Sequence, residues 1–236
     1  AEALQDLLLA DGVEMDLQTK RGLTPLHLAV APTRTSMAKE AALVAQALLD
    51  AGSSKELRDR HGETPMHAAA DAGAAACVEA LLREGVSIEA ATNDGRTALH
   101  KAASRGRLEA VRLLLRARAN LEATTHKGAT ALHAAAGKGF VEVVAVLLES
   151  SASMVVGAAN WSTPLHSAAS GGHVAVINAL LDASAPAEAT TKDMGSTPMH
   201  LAAAAGHEEA VGALADHGAK LEAATTRGEH ALHVAA

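Results

Sequence analysis

One four-residue word, ending in histidine, recurs seven times along this chain and constrains its fold more than any other feature. The word is Thr-Pro-Leu-His, Thr-Pro-Met-His or Thr-Ala-Leu-His, with a last copy that begins with His. The copies lie at 24–27, 64–67, 97–100, 130–133, 163–166, 197–200 and 230–233. Successive histidines are separated by 40, 33, 33, 33, 34 and 33 residues. A fixed period of this length predicts a stack of repeated structural units.

Each unit has the pattern of two short helices. In the third copy Thr97 is a typical N-cap, and Gly106 suits the left-handed end of the first helix. Apolar side chains of the following segment, 107–117, recur at three- and four-residue spacing, which predicts one buried face on a second helix. The alanines two and three residues after each histidine predict close approach of neighbouring first helices.

These words and this period resemble the ankyrin repeat, over essentially the whole chain. The resemblance implies an all-α solenoid of stacked helix-turn-helix units with β-turn fingers projecting from one edge. We expect one repeat domain over 1–236, with repeats at 16–55, 56–88, 89–121, 122–154, 155–187 and 188–221, and partial repeats at 1–15 and 222–236. Because neither end has a polar cap, we expect the chain to be part of a longer protein.

Composition narrows the functional class. The net charge is −7 and no basic cluster dominates, which argues against general nucleic-acid binding. No apolar run approaches membrane-spanning length, and the first residues do not resemble a secretory signal. The single cysteine, Cys77, excludes an internal disulfide and a cysteine-ligated zinc cluster. We expect a protein of the cytoplasm or nucleus that is not secreted.

No motif for catalysis or cofactor binding is present. The chain lacks a phosphate-binding loop, a nucleophile elbow and a zinc-protease helix motif. Seven of the 13 histidines belong to the repeated word, and we expect them to hydrogen-bond the turn to adjacent backbone rather than to bind metal. Cys77 stands where other repeats carry Val111 or Val144, which favours a buried, inert thiol. We therefore predict no enzyme activity, no cofactor and no metal.

The resemblance implies that partners bind the concave surface, which is made of finger tips and exposed first-helix positions. The candidate helix residues are Asp71, Lys101, Ser104, Arg105, Lys138, Ser167 and Ser170, and the candidate finger residues are Arg60, Arg96 and Lys127. Lys101, Arg105 and Lys138 suit an acidic or phosphorylated protein segment; solvated charges with no partner are the alternative. The finger bases carry a balancing acidic column, namely Asp16, Glu56, Glu89, Glu122, Glu188 and Glu222.

Two segments depart from the repeat. Trp161 occupies a finger position where other repeats have glycine, so we expect a rearranged turn. Trp161 is either an anchor for a partner, within an apolar patch with 154–156, or it folds back on the neighbouring finger. Residues 31–42 contain an insertion, which either carries specificity or is neutral.

Two functions fit the pattern. The first is a non-enzymatic scaffold that binds a partner protein across 89–187. The second is a recruiting or regulatory segment of a larger enzyme, channel or signalling protein. Both predict protein binding by this segment.

Overall fold

Pairs of short helices alternate with extended fingers throughout the computed structural model, which describes residues 14–31, 38–158 and 160–234. The first helix of each pair is called inner and the second outer. The helices are α1 (Pro25–Val30), α2 (Ala38–Asp50), α3 (Pro65–Ala72), α4 (Ala75–Arg83), α5 (Ala98–Ser104), α6 (Leu108–Arg116), α7 (Ala131–Ala136), α8 (Val141–Glu149), α9 (Pro164–Ser170), α10 (Val174–Asp182), α11 (Pro198–Ala204), α12 (Glu208–Asp216) and α13 (Ala231–Val234).

The repeated word starts every inner helix in the same way. Thr64 caps α3, Pro65 fixes the first turn, and the Thr64 N–H donates to Nδ1 of His67 at 3.2 Å. Gly73 then ends α3 in the left-handed conformation, with φ of 74°. The predicted helix boundaries, including Thr97 before α5 and Gly106 after it, are confirmed.

The chain divides into two compact units. The first runs to Ala102 and includes Arg107–Asn120, and the second comprises Ala103–Gly106 and the chain from Leu121 onward. Within each unit inner helices pack on inner helices, such as α1 on α3 and α9 on α11, and outer helices pack on outer helices, such as α8 on α10. The fold is all-α, with stacked helix pairs as in a solenoid, and the described residues contain no β-sheet beyond one isolated bridge, Ala224 with His230.

Small side chains permit this stacking. Ala135 and Ala136 of α7, like Ala168 and Ala169 of α9, are fully buried. An alanine surface lets helix backbones approach closely, so the predicted role of these alanines is confirmed. Leucine, methionine, valine and isoleucine side chains from inner and outer helices fill the remaining core.

No helix among the described residues is both long and apolar enough to cross a membrane. The insertion predicted at 31–42 falls largely on residues 32–37, which lie outside the described part of the chain. Most of the predicted partial repeat at 1–15 also lies outside it.

Candidate protein-binding surface

The fingers are the segments between an outer helix and the next inner helix, and those at 56–63, 89–96 and 155–162 share one turn geometry. In finger 56–63 the Asp59 N–H donates to the Glu63 carbonyl at 2.9 Å, and the Gly62 N–H donates back to the Asp59 carbonyl at 3.0 Å. Gly62 has a φ of 75°. A positive φ at the turn explains why glycine recurs at this position.

Carboxylates tie the bases of successive fingers together. Each accepts a hydrogen bond of 2.7–2.9 Å from a backbone N–H that precedes the next finger or lies at its base. The pairs are Asp16 with Ser54, Glu56 with Ser87, Glu89 with Asn120, Glu122 with Ser153 and Glu188 with Lys220. The acidic column therefore stabilises the repeat stack.

The repeated histidines tie each inner helix to the next finger. Nε2 of His67 donates to the Arg96 carbonyl at 3.0 Å, and Nε2 of His166 donates to the Ser196 carbonyl at 3.0 Å. His27, His133 and His200 make the same bond. The predicted hydrogen-bonding role of these residues is confirmed. Burial lowers the pKa of His67 and of His166, so both rings are held in the neutral form.

A second set of inter-repeat contacts was missed by the sequence analysis. Before four of the outer helices, a large side chain covers the glycine that precedes the outer helix of the preceding repeat. The pairs are Arg107 over Gly73, Phe140 over Gly106, His173 over Gly139 and His207 over Gly172. Nε2 of His173 also donates to the Gly137 carbonyl at 3.2 Å. A large side chain directly after the loop glycine, as in Gly106-Arg107 and Gly139-Phe140, is the sequence signal for this contact.

Lys101 lies in an ion-pair cluster within the first unit. Its Nζ is 2.7 Å from Oε1 of Glu63 and 3.1 Å from Oδ1 of Asp71. The Lys101 side chain is only 12% exposed. Burial alone would lower the pKa of Lys101, but the hydrogen bonds and charges of Glu63 and Asp71 outweigh it and raise that pKa. Two carboxylates thus neutralise the cation that the sequence assigned to a basic groove.

This cluster borders a polar cleft of about 300 Å³ between fingers 56–63 and 89–96. Its lining includes His61, Glu63, Asp94, Arg96 and Lys101. Nε of Arg96 is 2.9 Å from the Asp94 carboxylate. A hydrogen bond from the Thr92 hydroxyl, together with Arg96, lowers the pKa of Asp94. The cleft therefore presents ordered charges of both signs.

The structure thus places some predicted site residues together and others apart. Asp71, Lys101 and Arg96 lie at or beside the cleft of the first unit, and Arg60 is exposed on a finger of that unit. Ser104, Arg105, Lys138, Ser167, Ser170 and Lys127 belong to the second unit, where Arg105, Lys138, Ser170 and Lys127 are exposed. Ser167 is half-buried, and its hydroxyl faces the Thr163 carbonyl at 3.5 Å.

The prediction of a rearranged turn at Trp161 is wrong. The Trp161 N–H donates to the Ala158 carbonyl at 2.7 Å, and the Ala158 N–H donates to the Ser162 carbonyl at 2.9 Å, as in the other fingers. Trp161 itself adopts the positive φ of 58° that glycine has elsewhere. Trp161 as a whole is 60% exposed, with Nζ of Lys192 at 5.7 Å from the ring centroid. The two backbone bonds of the turn outweigh the conformational cost of a bulky residue.

Cys77 is fully buried on α4, and burial raises the pKa of its thiol to about 11. The prediction of a buried, unreactive thiol is confirmed. The described residues contain no group of three His, Cys, Asp or Glu side chains arranged to hold a metal ion.

Comparison with known proteins agrees with this architecture. The family described as ankyrin repeats in three copies matches residues 1–89, 36–125 and 117–193, and the single ankyrin repeat matches 194–226. The chain therefore belongs to the ankyrin repeat family, whose members are protein–protein interaction modules and are typically non-catalytic.

Two similar proteins illustrate the range of the family. The crystal structure of the human ASB11 ankyrin repeat domain aligns with a TM-score of 0.79 and 28% identity, covering 91% of this chain and 92% of that one. NF-kappa-B inhibitor alpha of Sus scrofa is 41% identical over 64 residues. That match spans 27% of this chain and 18% of the relative.

Proposed function

We propose that this chain is a non-enzymatic scaffold that binds a partner protein through its finger tips and exposed inner-helix positions. The Lys101 cluster carries the proposal. Other repeats have Ala68, Ala134 or Ser167 at the equivalent position, so stacking does not require an ion pair there. A largely buried ion pair gives little net stability relative to an apolar residue. Its value lies in holding a polar surface in one arrangement, which lowers the entropic cost of binding.

The charges suggest how a protein segment is recognised. In the first unit the cleft offers hydrogen-bond donors and acceptors of both signs, which suits a polar segment. In the second unit Arg105 and Lys138 are exposed on the inner-helix side, which suits acidic or phosphorylated side chains. One relative is by its name an inhibitor of another protein, and inhibition by binding is consistent with this proposal. The same surface would serve a recruiting segment of a larger protein.

The test compares two variants with a matched control in quantitative affinity capture. Lys101→Met removes the cation but keeps the aliphatic stem, and Arg105→Glu with Lys138→Glu reverses the exposed charges. Lys101→Glu is avoided because three carboxylates would then meet. The control reverses Arg112 and Arg116, which are exposed on outer helix α6.

We expect each test variant to lose captured proteins that the control keeps, with unchanged helical circular dichroism. Capture that is equal for all the variants would contradict the proposal.

A further inference from the structure

Two neighbouring fingers of the second unit, 155–162 and 188–196, carry exposed apolar side chains. Val155 is 69% exposed, Trp161 60% and Met194 37%. Among the described residues of this unit, Leu221 is the other large apolar side chain with comparable exposure. Trp161 and Met194 belong to two finger tips that are hydrogen-bonded to each other through Asn160, Lys192 and Asp193, whereas Val155 lies at the finger base.

The backbone at Trp161 is strained in order to present its ring. The corresponding finger positions are glycines with positive φ, namely Gly22, Gly62, Gly95, Gly128, Gly195 and Gly228. Glycine would adopt this conformation without steric cost, whereas a bulky residue does not. The strain is not offset by burial, because the ring is mostly exposed. Strain kept at an exposed aromatic residue is a mark of a functional site.

The base of the same finger also departs from the repeat. Val155 occupies the position at which other fingers have the carboxylate that bonds to the next finger base. Pro186 occupies the position whose backbone N–H would donate to that carboxylate. Proline has no N–H to donate, so acceptor and donor are missing together. Because Pro186 offers no N–H, a carboxylate at position 155 would have no donor there, and the apolar Val155 leaves no hydrogen bond unmade.

The tips of these two fingers are nevertheless firmly joined. The Lys192 N–H donates to the Asn160 carbonyl at 3.0 Å, and Nδ2 of Asn160 donates to Oδ1 of Asp193 at 2.7 Å. Finger 188–196 is one residue longer than finger 89–96, and its Gly195 N–H bonds to the Thr191 carbonyl at 3.1 Å. The apolar side chains thus stand on an ordered backbone.

The finger tips here carry three exposed cations beside the carboxylate of Asp193, whose Oδ1 accepts a hydrogen bond from Nδ2 of Asn160. Lys127, Lys192 and Arg227 are exposed, and no carboxylate of the described residues lies within 4 Å of them in an ion pair. By contrast Glu122 and Glu188 are bonded to backbone amides at the finger bases. Cations beside an aromatic ring complement an apolar side chain flanked by carboxylates.

We propose that Trp161 and Met194, on the joined finger tips, form an anchoring site for an acidic segment of a partner protein that carries a large apolar side chain. Lys192 and its neighbouring tip cations would bind the acidic residues of that segment. This inference rests on the proposed function of protein binding, and it assigns to the finger tips of the second unit an apolar anchor and the cations beside it.

Trp161 itself reports on the site, because the chain has one tryptophan and no tyrosine. Peptides of 15 residues are selected from a random display library on the wild-type chain, and their affinities are then measured by intrinsic fluorescence and calorimetry. The variants are Trp161→Gly, which suits the positive φ, and Lys192→Gln. Arg112→Gln on α6 is the charge-matched control.

We expect selected peptides to contain an aromatic or aliphatic residue beside Asp or Glu and to shift Trp161 emission to shorter wavelength. Affinity should fall at least about tenfold with Trp161→Gly and about threefold or more with Lys192→Gln, the second loss shrinking at high salt because salt screens exposed charges. The Arg112→Gln control should bind as the wild type does.

Other outcomes separate this inference from the proposed function. Peptides that bind Trp161→Gly normally but fail on the Arg105→Glu, Lys138→Glu variant would overturn the anchoring site and support the concave surface. Failure to select any peptide would overturn both. A Trp161 emission shift caused by phosphatidylserine vesicles or a uridine 20-mer, and by no peptide, would replace the protein partner by a membrane or an RNA.

Discussion

Fingers 56–63 and 155–162 have the same backbone turn but carry different side chains at it. Both close with the same pair of backbone bonds, and both place one residue at positive φ. In the first finger that residue is Gly62, whose missing Cβ leaves room for Asn93 of the next finger. In the second it is Trp161, with an exposed ring beside Lys192. The comparison teaches that the repeat hydrogen bonds determine the turn, while the neighbouring finger decides which side chain it can hold.

The largest loss of stability is expected when tryptophan replaces the turn glycine of finger 56–63. In Gly62→Trp the new Cβ would lie 2.4 Å from Oδ1 and 2.8 Å from the backbone N of Asn93. Strain at positive φ and overpacking each cost about 1–3 kcal/mol, so we expect a loss of about 2–6 kcal/mol. Urea denaturation measures this free energy. A loss below about 1 kcal/mol would show that neighbouring fingers do not restrict the site.

Acid should weaken both fingers through a shared feature. Each leads into an inner helix whose histidine, His67 or His166, has a pKa lowered by burial. Because the unfolded chain binds protons more readily, stability is present above pH 6.5 and is lost as pH falls through the lower folded pKa. We expect Tm to fall from pH 7.5 to 5.0, by about 2–4 °C for each kcal/mol of stability lost in a domain of this size.

Thermal melts across this pH range provide the measurement. A variant with His67→Gln and His166→Gln should start from a lower Tm and lose less of it on acidification. An equal decrease in wild type and variant would assign the acid sensitivity to other groups.

Trp161→Gly makes the second finger resemble the first. Glycine relieves the strain at positive φ, whereas its greater freedom in the unfolded chain and the loss of the Lys192 contact act in the opposite direction. We expect a net stabilisation of about 0.5–1 kcal/mol, measured by urea denaturation. Trp161→Ala, which keeps a Cβ at the same φ, should not be stabilised and serves as the control. A destabilised glycine variant would show that the ring supports the fold.

The smallest effect is expected from restoring the missing hydrogen bond between a carboxylate at position 155 and the backbone N–H at position 186. Val155→Glu alone lacks a donor, and Pro186→Ser alone lacks an acceptor, so neither change should stabilise the chain. Together they should show a coupling of about 0.5–1 kcal/mol, as expected for one additional hydrogen bond at an exposed site. A double-mutant cycle by denaturation measures it. Additive effects would mean that the carboxylate ties contribute nothing to the stack.

Local sequence patterns were sufficient for the helices. The Thr-Pro start, the loop glycines and the apolar spacing each act within a few residues, so the helix boundaries and the buried face around Cys77 followed from them. The structural role of the histidines also followed, because the word recurs once per repeat. The candidate surface was harder to predict. The exposure of a side chain and its ion pairs depend on residues of neighbouring repeats. The repeat period does not indicate which residues those are.

The sequence by itself determined the repeat, the helix pairs and the alanine-rich packing. These features arise from the conformational preferences of short segments, and the same segments recur at a constant spacing. Only the tertiary structure decided the state of individual surface groups. It neutralised Lys101 with Glu63 and Asp71, and it retained an ordinary finger turn beneath Trp161. Both outcomes depend on contacts between residues brought together by stacking, where the geometry of a neighbouring repeat outweighs the preference of one residue.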